Sequence, residues 1–368
     1  MEADDSQGIP VPDAYLETVE HHGRLFQKHA LQHKIYFGPV DEEEAQRLQL
    51  FHHVFHILFD RRLIFPGPIP NPRRILDCGF GSASWAIEVA DSYPRCEVIG
   101  VDIASQMSPP DLPPNLYLEV DDLNQRLNFN SSHFDVVHSR CVAGGINTGR
   151  WDEYARELNR VLVAGGWCQM VEVYFNAQSN NGTLTDGEFI PGVLDQGSWN
   201  DASFLWSGLA STLHSFLDGD PLPKPLLTGL RLGKLSRLYL QSLQPEKDAR
   251  VGIRLEGLMR NAGFENVESR MMQLPLCGWP DGLSLNCCGD EDGLTRRSLD
   301  AREEEVGTAN RENMSHLLSS LAIYPFTERL GMSITEVQVL LAQARREAQT
   351  LELKAYFPVY VCIGQKRR

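Results

Sequence analysis

The chain has 368 residues, 42% of them hydrophobic and 23% charged, enough for a large core and too few charges for a disordered tail protein. Its formal net charge of −15 excludes a general phosphate-seeking surface, so nucleic acid is not an expected partner. No run approaches the roughly 18 apolar residues of a membrane span, the start MEADDSQGIP has no signal-peptide core, and eight cysteines without a C-x-x-C pair read as free buried thiols of a reducing, cytoplasmic compartment.

Residues 13–64 carry a helical pattern. Asp41 with Glu44 three positions on is a capping signal, and Leu48, Phe51, Phe55 and Leu58 recur at helical spacing. FPGPIPNPRR (65–74) is a stiff connector, so 1–72 is expected to be an N-terminal helical lid segment. Strands and helices then alternate: strand 73–79, helix 82–93, strands 96–103, 116–122 and 134–140, helix 151–163 stopped by Gly165 and Gly166, and strand 167–175. That alternation predicts an α/β core over 73–175 with a wound, mostly parallel sheet.

Residues 176–245 break the rhythm with turn-rich stretches and two expected helices, 201–217 and 226–243. Phe189, Trp199, Phe204, Trp206 and Phe216 concentrate there, which suits either an acceptor cap or simple packing of an insertion onto the body. Residues 246–368 complete the sheet: helix 254–264, a strand to 276, a polar loop near 280–310, a helix to 324, and a Ser333–Glu336 capping box opening another helix. A final strand runs from 353 to a short basic tail.

The stretch ILDCGFGSASWAIEVA (75–90) carries the chemistry. A dinucleotide turn needs G-x-G-x-x-G for its pyrophosphate; counted from Gly79 the third glycine position is Ser84, and no basic residue stands nearby, which disfavours a dinucleotide-dependent oxidoreductase. S-adenosylmethionine has no phosphate and needs backbone access at Gly79 and Gly81 together with placed acids. Asp77, before the first glycine, suits the methionine amino group. Asp102, closing the second strand, suits both ribose hydroxyls. Asp121 and Asp122 close the third strand, and Asp122 in particular suits the adenine amino group between Ile103 and Leu123. Cys78 and Phe80 in the turn and Ser139 on the fourth strand complete the expected cofactor set. Methyl transfer needs a base only when the acceptor must shed a proton, and His138, Arg140 and Glu172, near the ends of strands four and five, are the candidates. His52 and His56 share a helix face at metal-ligand spacing, but no third ligand is evident and no metal is expected.

DxGxG … VIGVD … DD … FDVVHSR … LNRVLVAGGW resembles the class I S-adenosylmethionine-dependent methyltransferases. DEEEAQRLQLFHHVF, WAIEVADSYP, PPNLYLEVDD and ITEVQVLLAQARRE…KAYFPVYVCIGQK narrow the resemblance to the LaeA-like methyltransferases of filamentous fungi, over residues 30–175 and 250–366. It implies a Rossmann-like seven-stranded sheet with an antiparallel last strand, helices on both faces and an N-terminal lid. It also implies either transfer to O, N or C of a small secondary metabolite, or regulation of such pathways through a protein partner, with nuclear residence in the second case. Two departures stand out: Ala83 replaces the family's third glycine, and Leu-Asn-Gln-Arg replaces the acid-rich stretch after Asp122.

Overall fold

The computed structural model describes residues 11–66, 69–180, 182, 184, 230–278 and 293–368, the side chains of 293–301 excepted. The helix expected at 201–217 and the aromatic group between 189 and 216 lie outside these residues.

Five parallel strands form the body of the sheet, in the order β5 (Leu116–Val120), β4 (Glu97–Asp102), β3 (Arg74–Cys78), β6 (Phe134–Arg140) and β7 (Leu162–Val173). The last strand, β10 (Ala355–Lys366), runs antiparallel to β7 on one edge and to β9 (Phe264–Pro275) on the other. The two residues of β8 (Gln178–Ser179) pair with the first residues of β10, which makes eight strands in all. The expected seven-stranded plan with an antiparallel last strand therefore holds, extended by one short strand. β3 and β6 are almost wholly buried, as runs of Ile, Leu, Val and Phe between two helical layers must be.

One face of the sheet is covered by α3 (Glu42–Leu58), α4 (Ser84–Ser92), α6 (Arg231–Ser242), α8 (Gly293–Tyr324) and α9 (Ile334–Ala348). α5 (Trp151–Val161) and α7 (Leu255–Asn261) cover the other. The order places the reversal of winding between β3 and β6, so the crevice lies at the carboxyl ends of these parallel strands. The capping box is present at Ser333 and Glu336, and Gly263, at φ +88, follows the end of α7.

Three expectations need correction. Residues 13–64 are not helical throughout. After α1 (Asp13–Leu16), a hairpin of β1 (Thr18–His21) and β2 (Arg24–Gln27) precedes α2 (Lys28–Gln32). Its two-residue turn, His22–Gly23, has positive φ at both positions, the mirror-image turn that matches strand twist. Second, Gly165 and Gly166 do not separate α5 from its strand. β7 already begins at Leu162, and the glycines sit in a bulge, where Phe134 pairs Leu162 but Val136 pairs Trp167. Third, residues 293–310 are helical, the first half of the 32-residue α8; residues 280–292 lie outside the described residues.

Asp41 joins the hairpin to α3. Its Oδ1 accepts the Glu44 amide at 3.0 Å, the expected N-cap. The same carboxylate takes Arg24 in bidentate fashion, at 2.7 and 2.8 Å, and the Leu25 amide at 3.1 Å. Arg24 is buried. Removing the acid thus deletes a cap and leaves a buried guanidinium without its main partner. Asp41→Ala is expected to lower the unfolding free energy by about 2 kcal/mol or more in urea titration, and Asp41→Asn, which keeps the cap acceptor, by clearly less.

Candidate active site

The glycine turn leaves β3 along a path few side chains tolerate. Gly79 and Gly81 both have positive φ. A Cβ on Gly79 would lie 2.5 Å from the Val142 side chain, and one on Gly81 would lie 3.1 Å from Leu48. Ala83 is itself left-handed, at φ 59, and fully buried as the N-cap of α4, which explains why glycine suits that position. The turn opens on a cleft with about 700 Å³ of empty space, whose walls include Ile35, Gly79, Gly81, Asp102, Ile103 and Met107 on one side. Asp122, Leu123, Arg140, Cys141, Val142 and Gly145 complete it.

The strand-end acids differ in their surroundings. Asp102 accepts the Gly81 amide on Oδ2 at 2.9 Å and the Ala104 amide on Oδ1 at 3.0 Å, which leaves a lone pair on each oxygen. Burial raises its pKa, against the N–H donors of Ala104, Gly81 and Ile103. Asp122 commits Oδ1 to the Asn124 backbone and side chain, at 2.9 and 2.8 Å, and Oδ2 carries no hydrogen bond among the described residues. Asn124 donates in turn to the Gly145 carbonyl, which also receives the buried Lys247 ammonium. Asp77 is buried behind the turn and is not among the residues lining the cleft, and no donor among the described residues reaches its carboxyl. Burial pushes it up to about 7, Arg140 opposes the rise and Asp102 adds to it.

A buried, donor-free carboxyl, a cradle that side chains would fill, and an open acceptor at each of two further strand ends fit an elongated nucleoside with a cationic amino end. Other members of the expected cofactor set stand elsewhere. Cys78 and Ser139 pair across β3 and β6 and face α5, where Ser139 shares a 2.9 Å hydrogen bond with Tyr154. The Phe80 ring packs near Gly100 and does not line the cleft. Asp121 accepts the Asp122 amide at 2.8 Å instead of lining the cleft.

The three expected proton carriers also separate. His138 lines neither this cleft nor the cavity beside it. It stacks on Trp85 at 3.8 Å and meets Gln169 at 2.7 Å through Nδ1, while its Nε2 has no partner among the described residues. Burial drives its pKa well below the ordinary value, so it is neutral. Strand parity put His138 and Arg140 on one face; α4 then covered the first and left the second at the cleft. Arg140 lies over the Phe55 ring at 4.9 Å and meets His52 at 3.3 Å. His52 and His56 are both turned to Glu88, at 2.6 and 3.3 Å. Among the described residues no cluster of three or more metal-ligating side chains occurs.

Glu172 lines a second cavity, with about 880 Å³ of empty space, that shares Tyr36, Leu48 and Cys141 with the cleft. Its carboxylate accepts the Val142 and Ala143 amides at 2.9 and 3.3 Å, and burial nevertheless pushes its pKa up to about 8. Tyr36, Glu44, Arg47 and Tyr239 also line this cavity. Sequence reasoning missed all four. Only Glu44 carried a local signal, as the N3 residue of a cap. The others come from segments whose meeting is tertiary.

A methyltransferase domain model matches residues 75–166. The chain is 25% identical over 346 residues to the methyltransferase pytC of Aspergillus terreus, covering 94% of this chain and 87% of that one. It is 25% identical over 358 residues to the secondary metabolism regulator laeA of Gibberella zeae, covering 96% and 93%. Among solved structures it is similar to a Haemonchus contortus phosphoethanolamine N-methyltransferase in complex with S-adenosylhomocysteine, at 16% identity and a TM-score of 0.41, over 88% of this chain and about half (52%) of that one. Residues 75–166 thus carry a methyltransferase domain, and over most of its length the chain is similar to pytC and laeA proteins, the resemblance its motifs implied. No helix among the described residues is long and apolar enough to cross a membrane.

The two raised carboxyls set a pH dependence of stability. Asp77 and Glu172 ordinarily ionise at 3.8 and 4.5, but in the fold they keep their protons to about 7 and 8. Their stabilising contribution is therefore complete below the ordinary values and is lost as pH rises through 7 and then 8. His52 and His138, whose pKa values are lowered, act in the opposite sense, but only below their ordinary 6.5. The urea midpoint is expected to fall between about pH 6.5 and about pH 8, and the Asp77→Asn, Glu172→Gln double variant to flatten that fall. A wild-type midpoint constant over this window would mean that neither carboxyl is held protonated.

Proposed function

We propose that this chain transfers a methyl group to an oxygen, nitrogen or carbon of a small secondary metabolite or biosynthetic intermediate held in the second cavity. The observation that carries the proposal is adjacency: Tyr36, Leu48 and Cys141 border both spaces, so the donor methyl and the acceptor atom would meet directly where the two spaces join beside these side chains. In this proposal Asp77 receives the cofactor's amino end, Asp102 the ribose hydroxyls on its unused lone pairs, and Asp122 the adenine amino group on Oδ2. Ile103 and Leu123 flank the base. S-adenosylmethionine supplies a methyl group on a sulfonium, already a good leaving group.

The chain's own residues then have three tasks. The first is alignment, through the glycine turn and the strand-end acids. The second is exclusion of water by α3, which contributes Leu48 to the cleft and Glu44, Arg47, Leu48 and Phe51 to the cavity. The third is acceptance of a proton where the acceptor has one to lose. Glu172 suits this task, because a carboxyl with a pKa of about 8 is a competent base near neutral pH. Arg140 acts as a positioning residue for Asp77, which feels its charge. A tailoring enzyme of this kind is expected in the cytoplasm.

The relatives named as secondary metabolism regulators favour a second proposal, a methyltransferase-fold regulator that works in a nuclear protein complex. Strictly cytosolic protein running alone on a sizing column counts against it.

Calorimetric titration with S-adenosylhomocysteine is the primary test. Binding is expected, and it should tighten as pH rises through 7, because Asp77 must ionise to receive an ammonium group. Asp77→Asn is expected to weaken binding about tenfold or more and to remove that pH dependence. Absence of heat and of any thermal shift at millimolar ligand ends the methyltransferase proposal.

A further inference from the structure

We propose that the second cavity selects a neutral, mostly apolar ring compound bearing a hydroxyl or carbonyl oxygen, and rejects carboxylated, phosphorylated and ammonium-bearing molecules. The inference rests on the methyltransferase proposal and refines its acceptor.

The argument begins with charge. Arg47 is the cation among the residues lining the cavity, and it is buried. All three of its guanidinium nitrogens are engaged. Nε and one terminal nitrogen donate to Glu44 at 3.0 and 2.7 Å, and the other donates to Asn313 at 3.2 Å. Glu44 is satisfied further by the Ser320 hydroxyl at 2.5 Å. The pair is closed on itself, so an entering anion finds no free cation and stands beside the Glu44 carboxylate. Burying an unpaired anion there is strongly unfavourable.

A cation fares little better, because Glu44 is already paired with Arg47 and Glu172 keeps its proton to about pH 8. Aromatic faces attract cations, but two of those lining the cavity are already taken. The Arg47 guanidinium lies 5.5 Å from the Phe51 ring centre, and that of Arg329 lies 4.2 Å from the Phe37 ring centre. Much of the remaining wall is apolar, including Phe175, Val173, Leu317 and Leu321.

Two polar groups remain open. Neither the Tyr36 nor the Tyr239 hydroxyl makes a hydrogen bond among the described residues, although both side chains line the cavity. Burial raises the pKa of both, so each stays a neutral O–H. A hydroxyl can donate and accept, and a ligand oxygen satisfies either role. The aromatic side chains of Tyr36, Phe175 and Tyr239 in the lining suit a flat ring.

The test uses full-length protein saturated with S-adenosylhomocysteine and three probes of one ring system: β-naphthol, a hydroxynaphthoic acid and naphthylmethylamine. Calorimetry is expected to show naphthol binding, with the acid and the amine each at least about tenfold weaker. Tyr239→Phe should weaken naphthol several-fold and leave the affinity for S-adenosylhomocysteine unchanged, since Tyr239 does not line the cleft. That unchanged affinity also shows the variant is folded. Equal or tighter binding of the acid or the amine overturns the proposal. So does failure of naphthol to bind when S-adenosylhomocysteine does, in which case the methyltransferase proposal survives. Failure of S-adenosylhomocysteine itself to bind wild-type protein marks the failure of that underlying proposal instead.

Discussion

The seating of α3 is the constraint on which both cavities depend. An ordinary amphipathic helix turns its charged residues to water. In α3, Glu44 and Arg47 are buried because α8 lies against them. Two buried charges are tolerable only when each has its full set of partners. Here Asn313 and Ser320 of α8 supply them, and Asn313 is itself held by Asn310, which donates to the Pro275 carbonyl at the end of β9. Turning α3 by one residue would strand both charges. The pair therefore gives the helix a single rotational setting. That setting aims Leu48 at the cleft and Phe51 at the cavity, and puts Phe55 under Arg140.

The strand-end acids follow a different logic, one that is local and hence legible. In a parallel sheet every strand delivers its last residue to the same edge. A carboxylate that closes an apolar run, as Asp77 and Asp102 do, is thereby addressed to the crevice. The spacing of the glycines is equally local, since positive φ and close approach concern only neighbouring atoms. So the turn, the strand-end positions of the acids, the alternation of strands and helices and the cap at Asp41 were readable from residue order. Periodicity of two could not finish the work: it placed His138 and Arg140 on one face, but which of them meets a ligand depends on where α4 ends.

What escaped has a common physical character. Tyr36, Arg47 and Tyr239 are separated by up to two hundred positions and share a cavity only because α3, α6 and α8 converge over the end of β7. No local pattern encodes that. The His22–Gly23 turn escaped because two short strands of mixed polarity resemble the flanks of a helix. The bulge at Gly165 escaped because glycine ends helices and kinks strands alike, and only the partner strand decides between them.

The wall between the two cavities shows how these levels meet. Residues 141–145 leave β6 with Cys141 in a left-handed conformation, at φ 58. Val142 and Gly145 then border the cleft, while Ala143 and Gly144 border the cavity. On the cavity side, Glu172 grips the wall through the Val142 and Ala143 amides. On the cleft side, Lys247 and Asn124 grip it through the Gly145 carbonyl, and Asn124 is fixed by Asp122. A proton arriving at Glu172 turns one of its oxygens from acceptor to donor and loosens the first grip. A ligand group drawn to Asp122 meets Oδ2, while Oδ1 keeps Asn124 and with it the second grip. The two spaces thus share residues 141–145 as their boundary.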